Sequence, residues 1–298
     1  MGKIISFANQ KGGVGKTTSA VNVAASLGLM GYNTLLVDLD PQGNATSGVG
    51  IAKKRLKYSM REVLAGEVTA KEAILTTEYD KLSVLPSNIT LAGADFQMFQ
   101  VENEPWNIMK KAFAEIKDEY DYIIIDCPPS LGMLTTNALT ASDGVVIPMQ
   151  CEFYALEGLS QLMITIKQVK AHYNSALNVT GILLTMYAGR FLLTQQVKNE
   201  LRKHYEGKLF DTSISRGVGL AAAPSHGMPI YYFDKRSKGA TESSASHSTP
   251  LCPPCRSAVL IAGSTRSSIS PPPPLTVTTG TMCSTKAGCR CASVRPRA

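Results

Sequence analysis

The chain has 298 residues, of which 44% are hydrophobic and 18% charged, the ordinary balance of a soluble globular protein. It has no run of ~18 apolar residues to make a membrane-spanning helix. Its N-terminus enters a strand without the charged and apolar regions of a secretory signal, so the expected location is the cytoplasm. The formal charge of +7 is concentrated in residues 241–298, which carry +5 through Arg256, Arg266, Lys286, Arg290, Arg295 and Arg297 against Glu242. Residues 1–240 carry only +2, so bulk charge excludes a strongly basic nucleic-acid binder and leaves only a local patch for that role.

In chain order, an apolar run at 4–8 is expected to form a strand, and the pattern at 17–30 a helix. Between them lies Asn9-Gln10-Lys11-Gly12-Gly13-Val14-Gly15-Lys16-Thr17-Thr18. A glycine-rich turn joining a strand to a helix can aim the backbone N–H groups of Gly12, Gly13, Val14, Gly15 and Lys16 at one anion. The helix N-terminus adds roughly half a positive charge. Lys16 supplies a mobile cation for β/γ-phosphates, and the Thr17 hydroxyl is the expected Mg²⁺ ligand. The usual phosphate-loop pattern requires glycine at position 10; this chain has Gln10 there and a second lysine, Lys11, next to it.

A second strand at 34–38 runs into Leu39-Asp40-Pro41-Gln42-Gly43-Asn44. Asp38 and Asp40 alternate along it, placing two carboxylates on one face at the end where α/β sheets bind ligands. One suits orientation of a water, the other support of Mg²⁺ or of a neighbouring helix terminus. Thr69 and Glu72 form a capping-box pattern. Further strands are expected at 82–85, 122–126, 145–149 and 179–186, and further helices at 107–119, 134–141, 156–172 and 194–205. Asp126 ends an apolar strand as a second acidic element near Mg²⁺. The turn that follows, Cys127-Pro128-Pro129-Ser130, can sense a γ-phosphate. Cys127 itself reads as core filler. Apolar runs without strict alternation suit parallel strands buried on both faces. The fold class is therefore α/β: a doubly wound, mostly parallel sheet flanked by helices.

Periodicity ends near Ala240. Ser, Thr, Pro and Cys follow, including Pro271–Pro274, and residues 240–298 are expected to be a disordered tail. Cys252 and Cys255 have metal-ligand spacing, but no histidine stands at finger spacing and no zinc site is assigned. The abrupt break reads as a shifted reading frame.

Three motifs in order, the loop at 11–18, Val37-Asp38-Leu39-Asp40-Pro41-Gln42-Gly43-Asn44 and Asp126-Cys127-Pro128-Pro129-Ser130, resemble the ParA/Soj chromosome- and plasmid-partitioning ATPases. The segment Cys151-Glu152-Phe153-Tyr154-Ala155-Leu156-Glu157-Gly158 is similar too, and the likeness covers residues 1–239. The resemblance implies one ATPase domain over 1–239 that uses ATP and Mg²⁺ and forms an ATP-dependent homodimer. It implies that Lys11 reaches the partner's nucleotide, that Lys16, Thr17 and Thr18 hold phosphates and Mg²⁺, and that Asp40 orients the hydrolytic water. Asp38 and Asp126 would support the metal, with Pro128 beside the nucleotide. It further implies non-specific DNA binding, with Arg190, Arg216, Lys235, Arg236 and Lys238 as candidates, a ParB-like centromere-binding partner that stimulates slow hydrolysis, and a nucleoid-associated, non-membrane location. The alternatives are a membrane-associated division-site ATPase of the same superfamily, an iron–sulfur reductase for which the body offers only Cys127 and Cys151, and a hydrolysis-deficient nucleotide-binding module.

The chain also departs from the family. Residues 186–193 read Met-Tyr-Ala-Gly-Arg-Phe-Leu-Leu where the family has Met-Tyr-Asp-x-Arg-Thr-Asn-Leu. In the loop at 214–225, Gly217 replaces the usual asparagine and Gly219 a second arginine, whereas Arg216 remains.

Overall fold

Alternation of apolar residues along each central strand sends neighbours to opposite faces of one sheet, and each face is covered by its own hydrophobic cluster. The computed structural model describes residues 2–101, 103–152 and 155–244. Its eight strands are β1 (Lys3–Phe7), β2 (Thr34–Asp38), β3 (Leu75–Thr76), β4 (Leu82–Leu85), β5 (Tyr122–Asp126), β6 (Gly144–Gln150), β7 (Asn178–Tyr187) and β8 (Leu209–Ser215). They lie in the order β3-β4-β2-β5-β1-β6-β7-β8, and only the β3–β4 pair is antiparallel.

Twelve α-helical segments connect them: α1 (Lys16–Leu29), α2 (Asn44–Gly48), α3 (Met60–Leu64), α4 (Ala70–Ala73), α5 (Ala94–Val101), α6 (Ile108–Ala114), α7 (Met133–Ala141), α8 (Ala155–His172), α9 (Leu192–His204), α10 (Val218–Ala222), α11 (Ile230–Asp234) and α12 (Lys238–Ser243). Ile4, Leu35, Ile123 and Val145 pack with Phe113 of α6, Leu139 of α7, Leu162 of α8 and Leu201 of α9. Ile5, Leu36, Ile124 and Val146 face the other way, onto Ala20, Ala24 and Leu27 of α1, Leu220 of α10 and Ile230 of α11. The doubly wound α/β architecture expected from the sequence is therefore the one observed.

Helix α1 is buried along nearly its whole length, so its small residues serve close packing. At Gly28 a Cβ would collide with the Asp80 carbonyl oxygen. The expected cap at Thr69 forms, with the Thr69 hydroxyl accepting from the Glu72 N–H and the Glu72 carboxylate accepting from the Thr69 N–H. The helix expected at 107–119 is shorter, since α6 ends at Ala114 and turns carry the chain to β5.

The boundary at residue 239 also moves. Ser237 caps α12 by accepting from the Ala240 N–H, and Gly239, Ala240 and Ser243 are buried, so residues 240–244 complete a packed helix. Small side chains fit where a periodic apolar pattern is absent. The rest of the expected tail, with Cys252 and Cys255, lies outside the described residues. No helix of the described residues is long and apolar enough to cross a membrane.

Candidate functional site

Strand β1 lies between β5 and β6, and the chain passes from β1 to β2 on one side and from β5 to β6 across to the other. The carboxyl end of β1 is thus the topological switch point, where open α/β sheets bind ligands. The loop 8–15 emerges there. Gly13 (φ 72°) and Gly15 (φ 81°) adopt the left-handed region that admits glycine readily. A Cβ at Gly12 or Gly13 would meet nothing, so the concave side of the loop is open.

The rest of the loop is pinned. Asn9 accepts from the Lys11 N–H (3.0 Å) and donates to the Pro148 carbonyl (2.7 Å), while Thr185 Oγ1 donates to the Val14 carbonyl (2.7 Å). Gln150 Nε2 donates to the Gly13 carbonyl (3.3 Å). Helix α1 begins at Lys16 with no side-chain cap and no acid in its first turn. Its free N–H groups and positive dipole end therefore face an open, pre-shaped cradle, the arrangement that holds phosphate.

Lys16 is 7% exposed, and its Nζ donates to the Lys11 carbonyl (3.1 Å). Burial lowers its pKa, against the raising influence of Asp126 and Asp40. Thr17 and Thr18 follow at intermediate exposure, and Val14 and Pro128 are buried. Lys11 reaches outward, and its ammonium pairs with the Glu152 carboxylate. The two side chains are 40% and 52% exposed, so the pair contributes at most ~1 kcal/mol and can open readily.

Asp38 and Asp126 end neighbouring strands as register partners, and both are fully buried. Asp38 is held in place: its Oδ2 accepts from the Thr46 N–H and hydroxyl, both at 2.7 Å, and its Oδ1 accepts from the Asp40 N–H (3.2 Å). Burial pushes its pKa up to about 6, with these hydrogen bonds pulling the other way. Asp126 differs. The Thr17 hydroxyl is near enough to favour its charged form, yet neither carboxylate oxygen has a hydrogen bond of acceptable distance and angle. Burial, then the Asp38 charge, hold the Asp126 pKa well above the usual carboxylate range.

A buried carboxylate with both oxygens unpartnered beside a lysine and a threonine hydroxyl is a fit for a hard divalent cation. Thr17 and Asp126 have donors to offer such an ion. Asp38 accepts three hydrogen bonds, from Thr46 and from the Asp40 N–H, which hold the turn that carries Asp40. Asp40 is partly exposed, and its Oδ1 accepts from the Gln42 N–H (2.9 Å).

Beside the cradle lies a largely apolar cavity of about 630 Å³, lined among others by Gly15, Thr18, Met186, Ser215, Arg216 and Leu220. That volume falls within the ~300–1,000 Å³ usual for small-molecule pockets. Met186, on its rim, has φ 48°, a strained value for a non-glycine residue.

The structure thus gathers Lys11, Gly12, Gly13, Gly15, Lys16, Thr17, Asp38, Asp40 and Asp126 around the end of β1. Arg190 and Arg216 follow the adjacent ends of β7 and β8, both exposed, and Arg190 lies over the Phe191 ring. Lys235 and Arg236 are exposed beyond the end of α11, and Lys238 opens α12, where it pairs with Glu242. Cys127 is buried, with its thiol pushed up to about 12 by burial, in keeping with a packing role. Sequence reasoning missed Asn9, Thr46, Gln150 and Thr185. A lone hydroxyl in an apolar strand was the only signal for Thr185, and nothing local marked Thr46 as the partner of Asp38.

Comparison with known proteins agrees with this geometry. A family model described as an AAA domain matches residues 2–179. The chain is 51% identical over 240 residues to the sporulation initiation inhibitor protein Soj of Bacillus subtilis, covering 80% of this chain and 94% of that protein. It is 48% identical over 240 residues to the chromosome-partitioning ATPase Soj of Treponema pallidum, covering 80% and 93%. Among solved structures it resembles cobyrinic acid a,c-diamide synthase from Mycobacterium smegmatis with bound ATP analog and magnesium. The TM-score there is 0.69 at 36% identity, covering 79% of this chain and 98% of that one. With these motifs around one switch point and this degree of identity, the chain belongs to the ParA/Soj family of chromosome-partitioning ATPases.

Proposed function

We propose that this chain binds ATP with Mg²⁺ at the β1–α1 loop, hydrolyses it slowly, and uses the cycle to partition DNA. The triphosphate lies in the Gly12–Gly15 cradle against the uncapped end of α1, with Lys16 and Thr18 on its oxygens. The adenine enters the neighbouring cavity between Gly15 and Ser215. Thr17 and Asp126 hold the Mg²⁺, which when bound offsets phosphate charge. Asp40 orients the attacking water, and Asp38 fixes the turn from which Asp40 projects. The carrying observation is the open glycine cradle in front of a helix terminus that no side chain of the described residues caps.

Lys11 acts across a homodimer, leaving Glu152 to reach the partner's nucleotide. Two triphosphates facing each other concentrate negative charge at the interface, and one lysine from each side offsets it. Assembly then depends on ATP and reverses after hydrolysis. The dimer binds DNA without sequence preference through phosphate contacts from Arg190, Arg216, Lys235 and Arg236, in the nucleoid of the cytoplasm. A ParB-like partner accelerates hydrolysis, since the described residues supply no evident arginine for the developing charge.

Calorimetric titration tests the reading directly. Wild-type protein takes up Mg²⁺–ATP with measurable heat, and Lys16→Ala does not. A folded wild-type sample that releases no heat refutes the assignment.

A further inference from the structure

We infer that helix α12 braces the base cavity and that Glu242 is a positioning residue for the bound base; this rests on reading that cavity as the adenine site. Two independent contacts join α12 to residues lining the cavity. Glu242 clamps Ser215 from both sides of its carboxylate: one oxygen accepts from the Ser215 N–H (2.6 Å) and the other from its hydroxyl (2.7 Å). The Glu242 side chain is only 16% exposed, and Lys238 Nζ lies 3.4 Å from it. Gly239 packs so closely on Leu220 that a Cβ there would come within 2.6 Å of Leu220 Cγ. Ser215 and Leu220 both line the cavity, and they flank Arg216 and Gly217, which line it too.

The clamp has a physical consequence. Ser215 is the last residue of β8, which among the described residues is an edge strand paired with β7 alone, so its far side has no ladder partner there. A charged acceptor taking both the N–H and the hydroxyl replaces that partner and fixes where the chain leaves the sheet. Arg216 and Gly217 inherit their placement from that point. The phosphate cradle is pinned separately, by Asn9, Gln150 and Thr185. The cavity and the cradle share Gly15 and Thr18, but the clamp touches only the far wall at Ser215, so losing it should harm base recognition alone.

The test titrates the full chain with ADP and with pyrophosphate, each with Mg²⁺. Glu242→Ala is expected to weaken ADP about tenfold, the effect of losing a charged hydrogen-bonded anchor, and to leave pyrophosphate unchanged. Glu242→Gln keeps the shape and one acceptor, provides a soluble variant if the alanine form does not fold, and is expected to show a smaller loss confined to ADP. Ser215→Ala combined with Glu242→Ala is expected to weaken ADP little further, because both act at one contact. Equal weakening of both ligands, or unchanged ADP affinity in both Glu242 variants, overturns the inference. A wild-type chain that binds pyrophosphate but gains nothing from the nucleoside overturns it as well, while one that binds neither removes the phosphate-site reading on which it rests.

Discussion

Replacing Asp126 by asparagine should make the nucleotide-free protein more stable while disabling its site. Asp126 is fully buried, has no hydrogen-bond partner for either oxygen, and faces Asp38 across β2 and β5. The magnitude follows from the pair. Asp38 rises from 3.8 to about 6, a shift of roughly two units, and each unit is worth about 1.36 kcal/mol. Keeping Asp38 charged at pH 8 therefore costs about 3 kcal/mol. The Asp126 pKa also lies well above its ordinary value, for the same cause. Relieving the Asp126 charge should outweigh the cost of leaving an unpartnered amide, about 1 kcal/mol, so the variant should be the more stable form. For a domain of this size each kcal/mol gained raises Tm by about 2–4 °C.

The sign with pH is definite. A carboxylate whose folded pKa is raised contributes stability that is present below its unfolded pKa and is lost as pH rises through its folded pKa. The wild type should thus gain from Asp38 and Asp126 as pH falls from 7 towards 4. Asp126→Asn should lose part of that dependence, and its advantage at pH 8 should shrink at pH 5. Thermal melts at the two pH values, with and without Mg²⁺–ADP, provide the assay. The wild type should be stabilised by the ligand and the variant much less so. A variant that melts below the wild type at pH 8 without ligand would refute the claim that the site holds an uncompensated buried charge.

Three further predictions concern the site and the far end of helix α1. Asp40→Ala should retain ATP binding and accumulate as a dimer on size-exclusion chromatography; an ATP-bound monomer contradicts the proposed assembly. Thr46→Val removes the hydroxyl that donates to Asp38 and accepts from the Ser87 N–H at 2.9 Å, and should cost about 3 kcal/mol in urea unfolding. Thr46→Ser keeps that hydroxyl and should lose much less, so equal losses would show that only the methyl group matters. Gly28→Ala drives a Cβ into the Asp80 carbonyl and should destabilise by about 2 kcal/mol, although alanine favours an isolated helix; a neutral result would mean that the α1 contact with Asp80 yields.

Much of the fold and the centre of the site could be read from local pattern, because their causes are local. Unbroken apolar runs mark parallel strands buried on both faces, and glycines between a strand and a helix mark a turn open to an anion. Asp38, Asp40 and Asp126 were visible as acids at strand ends for the same reason. What the sequence left open depends on which strand ends become neighbours. Only the strand order sets Asp126 beside Asp38 and leaves it without a partner, whereas Thr46 satisfies the other carboxylate. Only the folded chain brings Thr185 and Gln150 to a loop more than 130 residues earlier in sequence, or Glu152 to Lys11. Helix α12 was illegible because its residues are small and its anchor, Glu242, finds Ser215 across 27 positions of chain. Local pattern determines which segments become strands, helices and turns; the charge, hydration and partners of each polar atom are decided when the sheet closes and water is excluded.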